Sequence, residues 1–381
     1  MTDTIYTTDE HVALREQVAR FIAREVEPHG AAWEEQGFVP REVLRKMGEL
    51  GFFGITYPAE YGGSEADALT SLVFAEALSR STYGGFVVTA LVHSDMASPH
   101  LVNAGSGAQL EKYLPAVIRG ERITAVAVTE PDAGSDVAGI RTRARRDGTA
   151  WLLNGAKMFI TNGVRADLYF VAARTDPDAK GSRGISMFIV EKGTPGFSAK
   201  PFKTLRTAAL PNVVHFEDCR IPVAQRLGPE GGGLTLCMDL LTGLRFPYSA
   251  CNVGIAVAAL RMAIDYSKQR KTFGEMLSRR QAIQWMLADS EVEIRAARWL
   301  IWDGAWKSGR KEDARMEASV AKLYSSEVLG RVIDRAVQIH GGYGVSKEFP
   351  LERWYREARI RRIGEGPSEV HRMVIARNLL R

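Results

Sequence analysis

The chain has 381 residues, of which 45% are hydrophobic and 25% charged, with a formal net charge of +5; that length exceeds one ordinary core, so two or three domains are expected. The charge is too modest to argue for nucleic acid on its own. No apolar run approaches the ~20 residues that span a bilayer, and Met1-Thr2-Asp3-Thr4 lacks the basic flank and apolar stretch of a signal peptide. Cys219, Cys237 and Cys251 have neither metal-ligand spacing nor an even count for bridges, so reduced thiols, no metal and a cytoplasmic location are expected.

The first third reads helical. Thr8 suits an N-cap, Asp9 and Glu10 a first turn, and Leu14, Val18, Phe21 and Ile22 recur at helical spacing. Further helices are expected from Pro40 towards Glu49, over 66–79 and 86–102, and in a short piece at 109–114, with Tyr57 to Gly63 as a loop. The pattern changes near Glu121. Ile123 to Val128 reads as a strand, and Trp151-Leu152-Leu153 and Met158-Phe159-Ile160 bracket Asn154-Gly155, the signal of a hairpin turn. Strand-like runs follow at 168–172, 185–190 and 213–216, punctuated by Gly and Pro as in a small β-barrel or sandwich. Beyond Gly231-Gly232-Gly233 helices are expected over 234–269, 279–307 and 313–339, with a shorter one from Ser368. Helices, then strands, then a bundle imply separate domains rather than an alternating sheet: an all-α domain (1–121), a β-barrel domain (122–229) and a four-helix bundle (230–381).

Two arginine groups, Arg141, Arg143, Arg145 and Arg146, and Arg353, Arg356, Arg359, Arg361 and Arg362, could meet an anion. Such groups are more often solvated faces paired with acids, and Glu352 and Glu357 stand within the second.

Four short stretches carry chemistry. Val128-Thr129-Glu130-Pro131-Asp132-Ala133-Gly134-Ser135-Asp136 opens a strand into a loop of small residues whose N–H groups can converge on an anion, with Thr129 and Ser135 adding hydroxyls. Lys157-Met158-Phe159-Ile160-Thr161-Asn162-Gly163 sets a flat aromatic beside a hydroxyl, which suits a planar polar ring. Arg270-Lys271-Thr272-Phe273-Gly274 with Gln281 reads alone as a basic helix end facing the dipole. Near the end come Gln338-Ile339-His340-Gly341-Gly342-Tyr343-Gly344 and Ile363-Gly364-Glu365-Gly366-Pro367-Ser368, where a carboxylate sits between glycines; alone it would be a solvated turn.

In order and spacing these stretches resemble the signatures of the acyl-CoA dehydrogenase family, and the resemblance runs from the first helix to Arg381. It implies FAD as cofactor, with Val128, Thr129, Gly134, Ser135, Phe159 and Thr161 along the flavin and its pyrophosphate. It further implies that Arg270, Phe273 and Gln281, together with Gln338, Gly341 and Gly342, reach the FAD of a neighbouring subunit in a homo-oligomer, most often a tetramer. Pro367 stands in the base loop, at a position that often faces the adenine side of FAD and where relatives usually have threonine. The resemblance makes Glu365 the base that removes the α-proton of an acyl thioester, with hydride passing to flavin and an electron-transfer flavoprotein as acceptor. Relatives that place the base on a helix just before an arginine would use position 244, and Leu244 cannot serve; Arg245 is expected to support the loop. Ser135, Leu241, Leu244, Arg245 and Gly366 are the expected substrate contacts. Thr242, where relatives often carry an acid near the CoA adenine, leaves free CoA and a carrier-protein phosphopantetheine both open. An acyl-CoA oxidase and a DNA-associated relative are the rival readings, with neither nucleic acid nor membrane expected as partner.

Overall fold

The computed structural model describes residues 7–179, 181–205 and 211–381. Helices α1 (Asp9–Phe21), α2 (Gly30–Gln36), α3 (Arg41–Glu49), α4 (Ala68–Leu78), α5 (Gly84–Leu91), α6 (Ser98–Ala104) and α7 (Gly107–Ile118) come first. Strands β1 (Thr124–Ala127), β2 (Arg143–Asp147), β3 (Ala150–Ile160), β4 (Leu168–Arg174), β5 (Ile185–Glu191), β6 (Phe197–Pro201), β7 (Asn212–Pro222) and β8 (Arg226–Leu227) follow. The chain ends with α8 (Gly233–Gln269), a small hairpin of β9 (Lys271–Thr272) and β10 (Glu275–Met276), then α9 (Gln281–Gly309), α10 (Arg315–His340), α11 (Leu351–Arg361) and α12 (Ser368–Leu379). Helical ends thus flank a central sheet.

Helix starts follow the capping chemistry. Thr8 and His11 form a reciprocal capping box at α1, and Ser106 and Gln109 form another at α7. The helix expected over 86–102 is interrupted: between α5 and α6 lies a π-turn, Val92–Ala97. Its extra residue per turn shifts which side chains face inward.

By packing the chain separates into two compact units: Met1–Ala31 with Asp67–Val87 and Thr242–Arg381, and Ala32–Ala66 with Val88–Leu241. These group segments by packing, whereas the division at 121 and 229 groups them by element type.

The second unit holds the sheet, ordered β6-β7-β3-β2-β4-β5-β8, with β1 parallel to β4. β4 and β5 are buried along nearly their whole length. Leu168, Phe170 and Ala172 on one face of β4 pack with Leu101, Tyr113 and Leu114 from the helices. Tyr169 and Val171 on the other join Trp151, Leu153, Val214 and Phe216 from β3 and β7. The Trp151 and Phe188 rings lie 5.3 Å apart although β3 and β5 are not neighbours, and Tyr169 of β4 lies 4.5 Å from Phe197 of β6. With strands spaced ~4.8 Å, such pairs meet only if the sheet curls on itself, as a barrel does.

The Asn154-Gly155 turn is corrected. β3 runs straight through it, with a register shift between Leu153 and Gly155. Gly155 takes φ +144, and Asn154 exchanges hydrogen bonds with Asp218 of the neighbouring strand, accepting from its N–H at 2.9 Å and donating to its carboxylate at 3.0 Å. The pair makes a bulge. The hairpin turn lies earlier, at Gly148 (φ +58) and Thr149, where Asp147 pairs with Ala150. The first arginine group is the reason: Arg143, Arg145 and Arg146 lie on β2 with exposed side chains, around a buried Ala144, a strand that charge concealed.

In the first unit α10 packs on α9, α11 and α12. Gly254 of α8 touches α4 so closely that a Cβ there would stand 2.3 Å from the Glu76 carbonyl oxygen. The Glu76 carboxylate is buried and takes a two-pronged hydrogen bond from Arg298 of α9, at 3.0 and 3.1 Å. α8 is long and apolar enough to cross a bilayer by length and composition, but 61% of its most apolar window is buried, as in the core helix of a bundle. α11 is an element the sequence pattern does not announce. Its Leu351, Trp354 and Ala358 are buried, while Arg356 pairs with Glu352 one turn away. Arg361 is 2% exposed, with its guanidinium 4.8 Å from the Tyr248 ring centre, so this arginine group is not simply a solvated face.

Candidate active site

Seven non-glycine residues have positive φ among the described residues, and Phe159, Phe273 and Glu365 are three of them. Each costs on the order of 1–3 kcal/mol, and such strain gathers at functional positions.

In the second unit the first two motifs meet. Met158 donates its N–H to the Thr129 carbonyl at 2.8 Å. The Lys157 ammonium, 0% exposed, donates to the Val128 carbonyl at 2.9 Å and to the Glu130 carboxylate at 2.7 Å. Glu130 also accepts from the N–H groups of Arg141 and Thr142 at 2.6 and 2.9 Å. Burial pulls its carboxyl upward, but Lys157 and these donors outweigh burial and hold it below its usual range. Burial lowers Lys157 to about 8 against the pull of Glu130. The pair therefore staples the end of β1 to β3. Sequence reasoning gives neither residue a role, and only their position inside both motifs could draw attention to them.

That staple presents Phe159, 55% exposed, with its ring edge-on to Phe202 at 5.3 Å. The hydroxyls of Thr129, Ser135 and Thr161 make no hydrogen bond among the described residues. Gly134 and Ser135 lie exposed in the loop after β1, and Leu241 is partly buried on α8. A bare ring beside free hydroxyls fits a large planar cofactor with polar edges.

In the first unit Arg270, Phe273 and Gln281 surround the β9–β10 hairpin and are exposed, Phe273 by 98%. Gln338, Gly341 and Gly342 end α10, also exposed, and a Cβ at either glycine would meet nothing within 4 Å. The backbone there is open to close approach by a ligand such as a diphosphate. Tyr266, whose carbonyl accepts from the Arg270 N–H, stacks on His340 at 4.2 Å and so links the two stretches.

Glu365 lies between α11 and α12, partly buried, with φ +57 followed by Gly366 at +92. Its side chain makes no hydrogen bond or ion pair among the described residues. Its main chain is held from three sides. Arg245 Nε donates to the Glu365 carbonyl at 3.4 Å, His371 Nε2 donates to the same oxygen at 3.1 Å, and Lys322 Nζ donates to the Gly366 carbonyl. Burial raises the Glu365 carboxyl above its ordinary range, opposed by the charges of Arg245, Lys322 and Arg361. His371 is lowered to about 4 by burial and by Arg245 and Lys322, so it stays neutral as the Nε2–H tautomer. Pro367 occupies the N-cap position of α12, and Ser368 Oγ bonds Glu327 at 2.8 Å. Leu244 is partly buried beside Arg245 and offers no acid–base group. Lys322 and His371 escape sequence reasoning because each sits inside a helical pattern without local signal.

The comparisons with known proteins agree along the whole chain. The acyl-CoA dehydrogenase N-terminal, middle and C-terminal domain patterns match residues 8–121, 125–219 and 231–380. A 3-(aryl)acrylate reductase from Clostridium sporogenes is 38% identical, over 99% of this chain and 100% of its own. The solved butyryl-CoA dehydrogenase of Megasphaera elsdenii is 35% identical with a TM-score of 0.95, covering 100% of both chains. The FAD complex of PigA superposes with a TM-score of 0.94 at 29% identity, over 99% of each chain. The chain therefore belongs to the acyl-CoA dehydrogenase family, oxidoreductases that use FAD and act on acyl thioesters.

Proposed function

We propose that this protein dehydrogenates an acyl-CoA to its trans-2-enoyl thioester, with Glu365 taking the α-proton. One observation carries the assignment: a strained carboxylate with no hydrogen-bond partner among the described residues, raised by burial, on a loop whose carbonyls are clamped by Arg245, His371 and Lys322. A thioester α-proton is weakly acidic, so its removal needs an adjacent base of raised pKa and a stabilised enolate oxygen. The Glu365 N–H, which makes no hydrogen bond among the described residues, is the donor this chain offers to that oxygen. FAD, when bound, would supply the oxidising power as the acceptor of the β-hydride. Phe159, Thr129, Thr161 and Ser135 would hold and orient it, and Arg270, Phe273, Gln281, Gln338, Gly341 and Gly342 would complete its site in a neighbouring subunit. Leu244 and Gly366 line the substrate's path.

Two features support an oligomer. Phe273 stands almost wholly in solvent on a strained turn, and Trp285, Val292, Trp299 and Trp306 recur at every seventh position of α9 with exposed side chains. Apolar stripes of that kind are covered by partner chains, here most simply by copies of this one in a tetramer. An electron-transfer flavoprotein is the proposed acceptor.

Titrating the purified protein anaerobically with acyl-CoA esters of graded length, while following the flavin absorbance, tests the reading. Bleaching by one chain class supports it and names the substrate. No bleaching by any CoA ester, with bleaching by a carrier-protein thioester, would move the substrate to the carrier, and an inert flavin would overturn the proposal.

A further inference from the structure

Lys322 lies on α10, 0% exposed, with no ion pair among the described residues. Burying a lysine without a carboxylate partner is unfavourable, and no packing need requires an ammonium there. Its one side-chain hydrogen bond among the described residues goes to the Gly366 carbonyl, next to the proposed base, Glu365. We propose that Lys322 is a positioning residue for Glu365, whose ammonium both pins the left-handed Glu365–Gly366 turn and supplies charge that keeps the base ionised at neutral pH. The inference rests on Glu365 being the base.

Several groups surround this charge. Arg245 of α8 and Arg361 of α11 add positive charge near Glu365, while Glu327 of α10 and Glu369 of α12 draw on Lys322. Glu327 is engaged elsewhere, by Ser368 at 2.8 Å and Arg362 at 3.4 Å. His371 is neutral and contributes a donor without charge. Arg245 donates to the carbonyl of Glu365 itself and Lys322 to the following one. The two cations thus hold successive carbonyls and fix the direction in which the carboxylate leaves the loop.

Removing the charge of Lys322 makes protonation of Glu365 easier, so less base is available at pH 7. Lys322→Gln keeps a donor for Gly366 and loses the charge, Lys322→Met loses both, and Lys322→Arg keeps both. Flavin reduction by a substrate ester is expected to slow about two- to fivefold at pH 7 in Lys322→Gln, the change in ionisation that follows when a carboxyl midpoint just below neutral pH rises by about one pH unit. The deficit should close towards pH 9, where wild-type Lys322, lowered to about 8, also loses its proton, and Lys322→Arg should restore most of the rate. Lys322→Met should be slower than Lys322→Gln at every pH, because the loop loses its donor as well.

A readout independent of turnover is the infrared band of the protonated Glu365 carboxyl, identified by its loss in Glu365→Gln. Its titration midpoint should move to higher pH in Lys322→Gln and Lys322→Met. An unmoved midpoint with a wild-type pH profile in Lys322→Gln would overturn the proposal and leave the base assignment intact. Flavin reduction surviving in Glu365→Gln would instead remove the base assignment itself. If Lys322→Met does not fold, Lys322→Gln against Lys322→Arg still decides.

Discussion

Two buried lysines divide the work of this protein differently. Lys157 is paired: its ammonium meets the Glu130 carboxylate at 2.7 Å, and that carboxylate is further satisfied by two backbone donors. Lys322 reaches only a carbonyl among the described residues, near a Glu365 carboxylate that likewise has no hydrogen-bonded partner there. Satisfied charge fixes geometry, because separating the pair strands a charge away from water. Unsatisfied charge is held in reserve, because a carboxylate already bonded to a cation would resist taking a proton. On the proposed function, the first arrangement shapes a surface for a cofactor, and the second keeps a base available.

Breaking the reserved charge should have the largest effect. Glu365→Gln preserves shape and burial while removing basicity, and a positioned general base is worth roughly 10²–10⁴ in rate. Flavin reduction by substrate should fall by at least that range in stopped-flow measurements, with FAD content and unfolding temperature unchanged. Reduction within about tenfold of wild type would show that Glu365 does not act as a general base.

Breaking the satisfied pair should act on stability instead. Lys157→Met leaves Glu130 buried without its cation, at a cost of ~3–5 kcal/mol. Denaturant unfolding should show that loss together with poor FAD retention, since Val128 loses its tie to β3. The double variant Lys157→Met/Glu130→Gln should recover part of the stability. Equal losses in the single and double variants would mean that the staple is not a coupled pair.

The next effect is smaller and depends on pH. Burial lowers His93 and His100 in the second unit to about 4, and His93 is satisfied by Thr124 and the Val117 carbonyl at 3.0 Å each. The unfolded chain takes up these protons near pH 6.5, the folded chain only near pH 4. Stability is therefore full above pH 6.5 and falls as pH drops through that window, by about 2 kcal/mol per histidine between pH 7 and 5. Thermal unfolding followed over that range should show the decline, and His93→Gln should make it shallower by about one histidine's share. A flat wild-type profile would contradict the buried neutral histidines.

The sequence is legible where chemistry is local. Thr8 announces α1, the glycines around Glu365 announce an unusual backbone, and Phe159 and Phe273, conspicuous by their motifs, both take strained conformations. It misleads where a local signal has two meanings: Asn154-Gly155 serves a bulge as well as a turn, and only pairing with Asp218 decides. It is silent where function depends on distance. Nothing near Lys322 in the chain points to Gly366, 44 residues on. Arg361 reads as surface charge until α11 folds and buries it against Tyr248.

Pro367 offers the smallest and sharpest test of how much the base loop depends on its own sequence. It sits at the N-cap of α12 with φ −65 and ψ 159, angles a threonine adopts without strain. Threonine would gain a hydroxyl that can accept from an N–H of the first turn, worth ~1 kcal/mol at an N-cap. It would also return backbone freedom to the unfolded chain that proline removes, a loss of about 0.4–1 kcal/mol. The two nearly cancel, so Pro367→Thr should leave the unfolding free energy within about 0.5 kcal/mol of wild type. The Glu365 and Gly366 carbonyls are held by Arg245, His371 and Lys322 rather than by position 367, so the pH profile of flavin reduction should also stay in place. A shifted profile at unchanged stability would mean that proline itself sets the turn, and that the three donors follow a geometry they do not create.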